Sequence, residues 1–135
     1  MRIKVPLRCA TAGLAVVLLV LPLLAGCDWQ ASGEGEWRTH VSGPGEPFGS
    51  GVLVVRGEGI LDIVGDAGTV VWTARKGENE LRVVAVQEEA TGTFRLRIRV
   101  RDLSEPQPSV GLIELADLDN EPVPIDDEHR IRYSR

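Results

Sequence analysis

The stretch TFRLRIRVRD, residues 93–102, decides the fold. Phe94, Leu96, Ile98 and Val100 alternate there with Arg95, Arg97, Arg99 and Arg101. A β-strand turns successive side chains to opposite faces. This period of two therefore puts the apolar groups on one face and the guanidinium groups on the other. Burying the apolar set contributes roughly 1.5–3 kcal/mol per large side chain. A slip of one residue would bury the arginines instead, so the pattern also sets the register.

The same grammar extends in both directions. Trp37, Thr39 and Val41 alternate with Arg38 and His40. VLVV (52–55), ILDIV (60–64), TVVWTA (69–74), ELRVVAV (80–86), VGLIELA (110–116) and HRIRYS (129–134) are further β-like runs. Glycine- and proline-rich segments separate them, GPGEPFGSG at 43–51 being the longest before residue 93; such residues set turns and do not sustain a helix. About eight short strands with frequent turn signals and no amphipathic helix predict an all-β fold, a single antiparallel β-sandwich. The continuous apolar runs VLVV and RVVAV fit strands covered on one face and crowded on the other. Connections of unequal length fit Greek-key crossovers better than a plain meander.

The first residues carry a different message. Arg2, Lys4 and Arg8 precede an apolar stretch densest from Leu14 to Leu24, with no acid before Asp28. A basic region followed by an apolar one is the layout of a secretory signal. The stretch ends in Leu24, Ala25, Gly26 and Cys27. This quartet resembles the lipobox of bacterial lipoproteins. The resemblance implies cleavage before Cys27, with acylation of its sulfur and its new amino group. An uncleaved membrane helix, which needs roughly 20 apolar residues, and an ordinary secretory cut are the alternatives. Two or more acyl chains make a stable anchor where one is marginal. The expected organisation is a signal peptide (1–26), a lipidated cysteine with a Gly/Ser/acid-rich tether (27–36), and a sandwich (37–135). The expected location is the cell envelope, on the non-cytoplasmic side of a membrane.

Removing the leader leaves 12 Lys+Arg against 20 Asp+Glu, a net charge of −8. That balance argues against nucleic acid as a partner, because a binder shows a basic footprint. Cys9 lies in the leader and Cys27 is the lipidation site, so the mature chain has no free thiol and no disulfide. His40 and His129 are its two histidines and read as surface strand residues. No nucleophile elbow, zinc helix or phosphate loop is present, and the reading is of a non-enzyme.

Two clusters are candidate sites. Arg95, Arg97, Arg99 and Arg101 form either an anion-binding stripe or a solvated face paired with neighbouring carboxylates. Asp117, Asp119, Asn120 and Glu121 offer oxygen ligands of the kind calcium takes, without the spacing of an EF-hand; an exposed acidic loop is the alternative. The aromatic residues Trp37, Phe48, Trp72, Phe94 and Tyr133 are explained by core packing.

The order GVLVVRGEGI, LRVVAV, FRLRIRV, GLIELADLDNEP and RIRYS resembles small secreted or lipidated bacterial domains with a cohesin-like or Ig-like sandwich. That resemblance implies a non-catalytic module. The reading is therefore an envelope lipoprotein whose sandwich binds or scaffolds another envelope protein or a glycan. It would carry no cofactor beyond the lipid on Cys27. The alternative is a small-ligand carrier or sensor with a pocket inside the sandwich.

Overall fold

The computed structural model describes residues 33–45 and 47–135. The leader, Cys27 and most of the tether lie outside the described residues. Eight strands follow in order: β1 (Gly35–Ser42), β2 (Ser50–Arg56), β3 (Ile60–Asp66), β4 (Thr69–Gly77), β5 (Glu80–Gln87), β6 (Thr93–Val100), β7 (Ser109–Ala116) and β8 (Arg130–Ser134). They form two four-stranded sheets, ordered β3-β6-β1-β8 and β4-β5-β2-β7, with every pairing antiparallel. The protein is an all-β sandwich, as the alternation predicted. The first strand starts at Gly35, two residues inside the expected tether.

The register explains why the arginine strand sits in the interior of its sheet. Trp37, Thr39 and Val41 of β1 lie opposite Ile98, Leu96 and Phe94 of β6. All six are buried, so one continuous face is packed. Ile60 and Ile63 of β3 extend that face on the other side of β6. The facing sheet contributes Leu53 and Val55 from β2, Leu81, Val83 and Ala85 from β5, and Val110 and Leu115 from β7. Phe48, from the β1–β2 loop, closes one end with its ring 4.8 Å from that of Phe94.

Contacts at both flanks of the sandwich tie the sheets together. The Thr69 hydroxyl on β4 accepts the Arg95 N–H of β6 at 3.1 Å. At the opposite flank the Tyr133 hydroxyl of β8 accepts the Val110 N–H of β7 at 3.0 Å. Burial holds the Tyr133 phenol above its usual pKa. Gly65 passes so close to β4 that an added Cβ would lie 1.7 Å from the Thr69 carbonyl oxygen.

Antiparallel order also sorts the loops. Gly35 and Ser134 are at one pole, where the described chain enters and ends. The 43–49, 88–92 and 117–129 loops gather at the other. That far pole carries Glu88, Glu89, Asp117, Asp119, Glu121, Asp126, Asp127 and Glu128.

Candidate functional site

The two outer faces of the sandwich differ in kind. On the β3-β6-β1-β8 sheet the outward positions are mostly charged. The stripe read from the sequence is shorter than expected: β6 ends at Val100, and Arg101 lies beyond it. Its N–H reaches the Gly59 carbonyl at 2.8 Å, and its side chain lines a separate cleft among Glu58, Glu78, Asp102 and Glu105. Arg95, Arg97 and Arg99 do share the outer face, joined there by Arg38 from β1 and by Arg130 and Arg132 from β8.

These arginines divide into two groups. Glu36 lies 3.7 Å from Arg38 and 3.8 Å from Arg97, and Glu34 lies 3.8 Å from Arg99. That half is a paired, solvated surface, where such contacts are individually weak. Arg95, Arg130 and Arg132 have no carboxylate within ion-pair distance among the described residues. Asp66 stands opposite Arg95 in register, but its Oδ1 accepts the Ala67 N–H at 3.0 Å. His40 lies between Arg95 and Arg132 in the strand order. Burial, then the charges of Arg95 and Arg132, hold its imidazole below the usual pKa.

The outer face of the second sheet is apolar. Val70 and Trp72 on β4 stand opposite Val86 and Val84 on β5, and Val84 stands opposite Val52 on β2. Trp72 is 59% exposed, Val70 48% and Val84 43%. Trp72 is therefore no core residue. It points outward because Val71, its neighbour in the alternation, takes the inward position. On the outer side of VLVV and RVVAV, Val54 is buried while Val52 is half-buried and Val84 exposed.

A groove of about 700 Å³ runs along this face. Its floor is Val52, Val84 and Ile113, and its wall is Pro122 and Ile125 from the β7–β8 loop. Ile113 is the extra residue of a bulge, since Val52 pairs with Glu114 while Leu53 pairs with Leu112. A bulge bends its strand and re-aims a side chain. Charge is unequal at the two ends. Glu80 bridges Arg56 at 2.8 Å and Arg82 at 3.5 Å at the entry pole. Glu114 and the acidic loop stand at the far pole.

The acidic loop has a structural use. Asp117 Oδ1 accepts the N–H groups of Asp119 at 2.8 Å and Glu121 at 2.9 Å, and Asn120 has a φ of 61°. Val123 then returns to the β7 edge, its N–H on the Leu115 carbonyl at 2.9 Å, and is buried. Asp119, Asn120 and Glu121 stay exposed. Among the described residues no three acidic, histidine or cysteine side chains converge on a common point where a metal would sit. Asp117 thus holds the turn that carries Asp119, Asn120 and Glu121. His129 departs from the sequence reading too. It precedes β8, its side chain is 5% exposed, and its Nδ1 lies 2.9 Å from Asp126 Oδ1.

Sequence reasoning missed the apolar face and the role of Trp72. The signal was present in the unbroken runs of valine, which leave an apolar side chain on each face of the strand. No family model, no curated protein and no solved structure matches this chain.

Proposed function

We propose that this protein is a membrane-anchored envelope lipoprotein whose sandwich is a non-catalytic binding module, docking through the outer face of β4-β5-β2-β7. The observation that carries this reading is the exposed row Val70, Trp72, Val84 and Ile113 beside a groove. Contiguous exposed apolar surface rimmed by polar groups marks an interaction site. A tryptophan beside such a groove is the residue type most enriched among binding hot spots.

The occupant is a protein segment with an apolar ridge. Its basic groups lie toward Glu114 at the far pole. Complementary charge at the rim sets orientation and encounter rate more than affinity. The anchor is proposed from the lipobox-like Leu24-Ala25-Gly26-Cys27.

Two experiments test the halves separately. Palmitate labelling of the whole chain is expected in the wild type and lost in Cys27→Ser; an unlabelled wild type refutes the anchor. A photocrosslinking residue at position 70 is expected to trap one defined protein, with the adduct lost in Val84→Glu and absent from a probe at position 97. An adduct that survives Val84→Glu, or one containing only a second copy of this chain, overturns the docking reading.

A further inference from the structure

The geometry points to a second site on the opposite face: Arg95 and Arg132, flanking His40, form a clamp for a tetrahedral oxyanion, the phosphate or sulfate group of an ester. It is independent of the apolar groove. Three observations lead to it.

The first is placement. Arg95 on β6 and Arg132 on β8 are the direct cross-strand neighbours of His40 on β1. Directly opposed residues stand about 5 Å apart, so two guanidinium groups approach one imidazole from either side. Their long stems let the charged heads lean together over the smaller ring.

The second is the lack of compensation. The chain has more acids than bases, yet these arginines have no carboxylate within ion-pair distance among the described residues. Among the described residues, every charged or titratable group next to His40 on this face is basic. Arg38 is on its own strand, Arg95 and Arg97 are on β6, and Arg130 and Arg132 are on β8. The nearest acids are Glu36, which serves Arg38 and Arg97, and Asp66, which lies beyond Arg95 and bonds its own turn. Like charges held side by side are destabilising, and a bound anion relieves them.

The third is rigidity. β1 is paired on both sides, and the Arg95 backbone is fixed by the Thr69 hydroxyl at 3.1 Å. Two guanidinium forks and one imidazole N–H offer more donors than a carboxylate has well-placed acceptors. A tetrahedral group presents three peripheral oxygens and accepts from all three residues.

His40 makes the clamp sensitive to pH. In the empty site burial and its two neighbours disfavour the proton, and an anion above the ring restores it. Binding therefore takes up a proton and strengthens as pH falls.

The test is calorimetric titration of the full chain in detergent with sodium sulfate, which keeps its charge through neutral pH, and with inorganic phosphate at fixed pH. One saturable site is expected. Arg95→Gln and Arg132→Gln each weaken it about tenfold, while Arg99→Gln stays within about twofold. Sulfate affinity is expected to fall about fivefold between pH 5.5 and pH 8, and His40→Gln flattens that dependence. Arg95→Lys, which keeps the charge without the fork, gives an intermediate loss, and circular dichroism confirms that each variant is folded. Three results each overturn the proposal: no saturable binding of either anion, equal weakening by Arg99→Gln, or a pH dependence that survives His40→Gln. Binding to phosphatidic acid vesicles without binding to either free anion also overturns it, since that describes a membrane surface and not a clamp.

Discussion

Thr39 sits in the middle of β1 at 2% exposure, facing Leu96 across the ladder, and its hydroxyl has no partner. A buried hydroxyl without a hydrogen bond costs free energy that a methyl group of the same shape does not. Thr39→Val is expected to raise stability by about 1 kcal/mol in urea denaturation. Two glycines separate steric need from conformational need. An added Cβ at Gly65 would lie 1.7 Å from a backbone oxygen, whereas at Gly68, with φ of 82°, it meets nothing within 4 Å. Gly68→Ala should therefore lose only about 1–2 kcal/mol for the left-handed backbone. Gly65→Ala must push β3 from β4 and should lose clearly more, about 3 kcal/mol or above. Equal losses in the same assay would show that close approach does not decide position 65. The need at Gly65 has no local signature, because it depends on what lies across the chain, whereas the need at Gly68 belongs to the backbone of its own turn.

At the level of elements, β6 was the most legible part of the molecule. Its alternation specifies strand, face and register together, and only its end shifted, from Asp102 to Val100. Arg101 left the stripe because the chain turns once the pairing with Gly35 and Ile60 is complete. The β7–β8 connection was the least legible. Its carboxylates read as calcium ligands or as an exposed acidic loop, and neither reading contained the turn in which Asp117 Oδ1 accepts two backbone N–H groups. Asp117→Ala should cost about 1 kcal/mol by removing the acceptor that holds this turn, while Asp117→Asn, which keeps an acceptor, should cost less. Added calcium should leave the melting temperature of both unchanged. Tyr133→Phe tests the link between β8 and β7. It removes the acceptor of the nearly buried Val110 N–H and should destabilise by about 1–2 kcal/mol, read as a lower urea midpoint with an unchanged slope.

The described sandwich has two chemically unlike faces around one core. Trp72→Ser should leave stability within about 0.5 kcal/mol, because the ring is largely exposed, while abolishing the crosslink expected at the groove. Charge sets a common direction for pH. Glu80, Asp102 and Asp126 are held below the usual carboxylate range by hydrogen bonds, from Arg56, from Ser104 and from the Glu128 N–H respectively. A carboxyl with a depressed folded pKa contributes stability above its unfolded value, and that contribution is lost as pH falls through the folded one. His40 acts in the same sense at higher pH. Its folded pKa is also depressed, so below about 6.5 the unfolded chain binds a proton that the folded one resists. Acidification should therefore lower the melting temperature in two steps. The one just below neutrality should vanish in His40→Gln, and the one near pH 4 should persist.

By itself the sequence determined the strands, the apolar face of β6 and the β-sandwich, because local alternation and turn chemistry are written along the chain. It also carries the lipobox-like quartet at Cys27, outside the described residues. Only the tertiary structure decided which strands are neighbours. Strand order pairs Glu36 and Glu34 with half of the arginines of that face and, among the described residues, leaves Arg95 and Arg132 around His40 without an acid. It likewise leaves Val84 of β5 and Val70 and Trp72 of β4 exposed. Both candidate surfaces are made of residues distant in sequence, and long-range pairing has no local signature for a reader of the chain to find.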